Sequence, residues 1–195
     1  LFDARDTRLT ATQCLSVQTH TGGNATFLNF TAALLQREQD VEVLIGRLAS
    51  ADNIERFLLE EVDDYLSDDE RAVMETLAIH HDQPATDAAI AAIAPAERVR
   101  RATRHLLDQY LVEAVRDETD KLYSIHAILS DFFRLQMSSK QRQALHRQAA
   151  TYYYERDPLL AAEQNGYAGE FEQAAQLLIQ HSRHFANRGN AMRAL

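Results

Sequence analysis

The chain has 195 residues, with one cysteine, no tryptophan, six glycines and three prolines, and only two of its twenty basic residues are lysines, Lys121 and Lys140. A lone Cys14 permits no internal disulfide and no paired thiolate site for a structural metal, which fits a reducing compartment and makes the cytoplasm the expected location. No apolar run approaches the roughly 20 residues of a membrane span, and no basic, apolar and small-residue leader opens the sequence, so neither a membrane nor a secretory route is expected. Positive charge is scarce as well: the net charge of −9 disfavours non-specific attraction to nucleic-acid phosphates or anionic lipid. Also absent is a glycine-rich loop ending in Gly-Lys-Ser/Thr, the element that wraps nucleotide phosphates, and no motif sets serine, histidine and carboxylate together for hydrolysis.

What is present is helical periodicity. A hydrophobic share of 46% with 25% charged residues is ordinary for a globular protein able to bury a core. Residues from about Thr10 to Ser50 read as two or three helices broken at Gly22-Gly23, the second carrying Phe27, Phe30, Leu34 and Leu35 on one face. An amphipathic helix follows from Asn53 to Leu66, and Ser67 with Glu70 three residues on forms a capping box for the next, Asp68 to Ile79. A short alanine-rich helix spans Asp87 to Ile93, and Pro95 opens another with Val99, Ala102, Leu106 and Leu107 inward. Tyr110 to Val115 and Lys121 to Ile125 form the one strand pair read from the sequence, joined by the polar Arg116-Asp-Glu-Thr-Asp120. Helices followed by a β-hairpin spell a winged helix. After it come a helix from His126 to Met137 and a helical tail in which Asp157, Glu170 and Asn190 begin segments, with Ala161 matching Ala174 and Ala194. The first-to-third spacing lies close to the ~34 residues of a tetratricopeptide (TPR) helix pair. The expected fold is mainly α: a helical arm over residues 1–50, a winged helix with a small β-hairpin over 51–137, and TPR-like helical hairpins over 138–195.

Three short runs carry a family resemblance. Leu122-Tyr-Ser-Ile-His126-Ala-Ile-Leu-Ser-Asp131-Phe-Phe133 places a histidine where an extended segment passes into an apolar helix. About a hundred residues upstream, Thr21-Gly22-Gly23-Asn24-Ala25-Thr26-Phe27-Leu28 turns into another apolar helix. Downstream, Leu145-His-Arg-Gln-Ala-Ala-Thr-Tyr-Tyr-Tyr154 through Gly169-Glu-Phe-Glu-Gln-Ala-Ala-Gln-Leu-Leu178 reads as a helical hairpin. In this order they resemble the middle of STAND-type signal-transduction ATPases, the class that includes NB-ARC proteins and the maltose-regulon activator family. The chain then looks like a fragment whose P-loop domain lies upstream in the same polypeptide. The resemblance implies that His126 approaches the β-phosphate of ADP and that the turn at Gly23 and Ala25 packs near adenine. Ala25 stands where the family has proline, and Ala127 where NB-ARC proteins place aspartate. No cofactor is expected in this chain by itself, ADP or ATP being bound by the parent protein, and no ATP hydrolysis is expected of it. The implied partners are the P-loop domain and a ligand or protein bound by the repeats.

Several residues have competing readings. Arg98, Arg101 and Arg104, with Arg100 and His105, lie on the helix before the hairpin, where a DNA-binding winged helix carries its recognition helix. Nineteen acidic against nine basic residues between Asp52 and Arg134 make a solvated face, or a dock for acidic Glu60, Glu61, Asp63, Asp64, Asp68 and Asp69, the preferred reading, with DNA the lesser partner. His80 and His81, adjacent and lacking the i, i+4 spacing of a metal pair even with Asp82 and Asp87 nearby, read as a solvated helix end. Tyr152, Tyr153 and Tyr154 spread around a helix and read as core plus interface. A plain TPR-like scaffold binding a peptide is the remaining alternative.

Overall fold

A computed structural model describes residues 9–36, 40–81, 83–116 and 121–187. It is mainly helical, with a small three-stranded antiparallel sheet. The N-terminal helices α1 (Ala11–His20), α2 (Ala25–Leu35) and α3 (Val41–Ser50) each begin on a side chain that accepts from the first turn, Thr10, Asn24 and Asp40 respectively. Such caps satisfy amide donors that the helix cannot use internally. Gly22 and Gly23 separate α1 from α2 at φ of 61° and 69°, left-handed backbone that any side chain would strain. The Gly23 N–H donates to the Gln18 carbonyl and the Gly22 N–H to the Thr19 carbonyl, the pair of hydrogen bonds that closes a helix C-terminus. Helix α4 (Ile54–Tyr65) packs on α2 and α3, and an ion pair joins Arg47 of α3 to Glu61 of α4.

The winged helix then follows in the order α5 (Asp68–Ala78), β1 (Ala85–Thr86), α6 (Asp87–Ile93), α7 (Val99–Asp108), β2 (Glu113–Arg116) and β3 (Lys121–Ser124). The sheet order is β1-β3-β2, with Tyr123 of β3 opposite both Ala85 and Ala114. The Ser67–Glu70 capping box is present at the start of α5. Three expectations need correction. The strand pair is part of a three-stranded sheet, because the two-residue β1 is too short to show any periodicity. The first strand begins at Glu113 rather than Tyr110, since Leu111 and Val112 both donate their N–H groups back to the Leu106 carbonyl in a turn that holds Tyr110 at a φ of 60°. The helix expected at Pro95 begins at Val99, after an extended Ala94 of the kind a following proline enforces.

Helix α8 (Ala127–Gln136) returns across α5, and α9 (Ser139–Tyr153) packs on α6 and on α10 (Pro158–Ala168), which in turn packs on α11 (Phe171–Asn187). Asp157 caps α10 with proline in its first turn, and Gly169 ends it at a φ of 82°. Residues Asn190 and Ala194, which complete the expected repeat, lie outside the described residues. A single apolar cluster runs from Val17 through Phe30, Leu58, Met74, Ile90 and Phe133 to Ala149, so the arm, the winged helix and the first helix of the hairpin share one core. Ala161, Ala162 and Leu177 form a second, small cluster between α10 and α11.

Candidate functional site

The winged helix puts the start of α8 at the end of β3, and His126 occupies the N-cap. Its ring is exposed, and the Ile128 N–H donates to Nδ1 at 3.3 Å. An accepting Nδ1 leaves the proton of the neutral ring on Nε2, which lies 3.3 Å from Thr26 Oγ1 on the first turn of α2. Two sequence features a hundred residues apart therefore meet: the histidine that opens α8 touches the turn that opens α2. Beside Thr26, Gly23 and Ala25 are exposed, and the Asn24 side-chain Oδ1 accepts from the Thr26 and Phe27 N–H groups at 2.9 and 3.3 Å. Two helix N-termini with partial positive charge thus flank the imidazole of exposed His126.

The arginines lie elsewhere. Val99, Ala102 and Leu106 are buried beneath α7, while Arg98, Arg101 and Arg104 line an open cleft of about 570 Å³ with Asp69, Glu70 and Asp108. None of the three makes an ion pair among the described residues. Arg100 pairs with Asp87 at 3.2 Å and His105 with the buried carboxylate of Glu70. The cleft carries three cations and three carboxylates, so it presents no surplus of either sign.

The reading of His80 as part of a solvated helix end is overturned. Its side chain is 2% exposed, because Val73, Leu77 and His80 continue one helical stripe at i, i+4 and i+7 into the core. Nδ1 donates to the Thr76 carbonyl at 2.7 Å, which leaves Nε2 as acceptor for the Tyr153 hydroxyl at 3.0 Å. Burial holds His80 below its ordinary pKa and pushes the Tyr153 phenol well up, so the donor keeps its proton. His81 is half-buried at a φ of 54°. It packs against Tyr167 of α10, as does His146 of α9. His146 is buried, its Nδ1 2.7 Å from Gln164 Oε1, and burial lowers its pKa too. Of the tyrosine triplet, Tyr153 joins this seam, Tyr152 is half-buried and Tyr154 is half-exposed. The sequence signal for the seam was the α5 stripe itself, read one turn too short.

Among the described residues no cluster of histidine, cysteine or carboxylate side chains has the makings of a metal site, and no helix is long and apolar enough to cross a membrane. No protein-family model matches the chain, and a comparison with curated proteins finds no match.

Proposed function

We propose that this chain is the regulatory part of a STAND-type ATPase, in which the arm, winged helix and TPR-like hairpin hold an upstream P-loop domain closed on ADP. When a ligand or protein engages the repeats, the winged helix swings, ATP replaces ADP and the parent oligomerises. The observation that supports this reading is the meeting of His126 with Thr26. An Nε2–H group held by one exposed hydroxyl can exchange that oxygen for a phosphate oxygen, and the flanking helix termini favour the negative charge. Gly23 and Ala25 would border the same nucleotide. The chain itself would hydrolyse nothing, since it carries no phosphate-wrapping loop, and its proposed setting is the cytoplasm.

A switch of this kind works only if the nucleotide contacts differ between the two states. The test is ADP retention in the full-length parent after His126→Ala. Faster ADP release with an unchanged melting temperature supports the reading, and unchanged release sinks it.

One observation favours a second reading, a winged-helix regulator that reads duplex DNA: Arg98, Arg101 and Arg104 share an exposed face of the helix that precedes the hairpin. A mobility shift with a steep salt dependence that Arg101→Glu abolishes would favour it.

A further inference from the structure

We propose that the cavity between the C-terminal end of α5, helix α8 and the α9–α10 hairpin binds a small organic anion, one in which a phosphate or carboxylate group is carried on a flat ring. The cavity has a volume of about 390 Å³, within the range of small-ligand sites. Its described charged lining is Arg134 and Arg142 against a single carboxylate, Asp131, an excess of cation in a chain whose net charge is −9. The guanidinium of Arg134 is tied to Asp131 and to His81 Nδ1, yet its Nε is buried with no hydrogen-bond partner. A buried donor without an acceptor costs about 1–3 kcal/mol, and a small shift of the Arg134 side chain towards an oxyanion in the cavity would supply the acceptor. Arg142 donates once, to the Arg134 carbonyl at 2.9 Å, and its other N–H groups have no partner among the described residues. A guanidinium presents five donors in a fork that fits two oxygens of one phosphate or carboxylate.

The ring requirement comes from the opposite wall. Tyr167, 54% exposed, packs on His81 and His146 with ring centroids 4.9 and 5.2 Å away. The Arg134 guanidinium lies against His81 Nδ1, and burial disfavours the charged form of His146. Flat ring surfaces beside two guanidinium groups suit an aromatic or heteroaromatic anion better than a bare inorganic one. The cleft at Arg98, Arg101 and Arg104 lacks this selectivity, because carboxylates there match the arginines in number. Since the cavity touches both the winged helix and the hairpin, an occupant would be felt by both. The proposal goes beyond the nucleotide switch and does not depend on it, as every residue it uses lies in this chain.

The test is calorimetric titration of the chain with phenyl phosphate, benzoate and inorganic phosphate. The expected result is saturable 1:1 binding of phenyl phosphate or benzoate, about tenfold tighter than inorganic phosphate, the tighter of the two showing which oxyanion the site takes. Arg142→Gln should weaken that binding about tenfold, whereas Arg101→Gln in the other cleft should leave it unchanged. Tyr167→Leu should bring the ring anion down to the level of inorganic phosphate. Arg142 and Tyr167 are preferred to Arg134 because neither is a linchpin of the fold, and circular dichroism checks each variant. No saturable binding of either ring anion up to about 10 mM, binding that survives Arg142→Gln in a folded chain, or equal losses on Arg101→Gln would each overturn the proposal.

Discussion

Two of the polar contacts that the winged helix makes with its neighbours are built in different ways. Towards the hairpin, buried His80 meets half-buried Tyr153 in a hydrogen bond, and within the hairpin itself His146 bonds Gln164 in a buried one. Towards the arm, apart from the Arg47–Glu61 ion pair between α3 and α4, a 3.3 Å bond between exposed His126 and Thr26 spans the corner at the start of α8. Buried bonds are costly to open because each released group is left without water, while an exposed bond exchanges for solvent at little cost. The difference bears on the proposed switch: the His126 bond is the polar contact that would exchange for solvent first, although the arm and the winged helix also share one apolar core, whereas the histidine seam would carry motion across as a unit.

Substitutions sharpen that contrast in order of size. Leu129→Ala, at a residue 1% exposed one turn into α8, should cost about 2–5 kcal/mol through lost burial and the cavity left behind, read as a fall in the denaturant midpoint. Tyr153→Phe keeps the ring but removes the hydroxyl, leaving His80 Nε2 buried without a donor, and should cost about 1–3 kcal/mol in the same measurement. A loss no larger than that of an exposed control such as Leu135→Ala would show that the seam is not polar-locked. His126→Ala should cost about 1 kcal/mol or less, the worth of a helix cap. If it destabilises as much as Leu129→Ala, the corner is structural and the contrast fails.

The histidine seam should also give the fold a pH response. His80 and His146 both have pKa values lowered from 6.5 by burial, so the unfolded chain binds protons there more readily than the folded one. Their contribution is complete above pH 6.5 and is lost as pH falls below it. Melting temperature should therefore drop between pH 7.5 and about 5.5. His80→Gln, although less stable throughout, should show a shallower slope. An unchanged slope would mean that the seam histidines do not set the acid limit.

Much of the architecture was legible in the sequence because its signals are local. Asn53, Ser67 and Asp157 cap their helices where the pattern placed the starts, and Gly22-Gly23 ends α1 by left-handed backbone that the residue type announces. The strand β1 escaped because two residues have no period and pair only with residues far along the chain, Thr86 opposite Leu122 and Ala85 opposite Tyr123. His126 was visible as a helix opener, but its partner Thr26 was not, since nothing local joins residues so distant. The histidine seam was hidden for a different reason. His80 and His81 look alike in sequence, and only tertiary packing sends the first into the core and the second to the rim of a cavity.

The most direct test is a pair of spin-label distances in the full-length parent, with Cys14 replaced and labels at exposed positions. Leu15 on α1 and Leu135 on α8 span the His126 corner, while Leu135 and Ile179 on α11 span the histidine seam; all three are more than half exposed. On exchange of ADP for a non-hydrolysable ATP analogue, the first distance should lengthen and the second should stay the same. A constant first distance, or a change in both, would contradict the assignment of the His126 corner as the joint that opens.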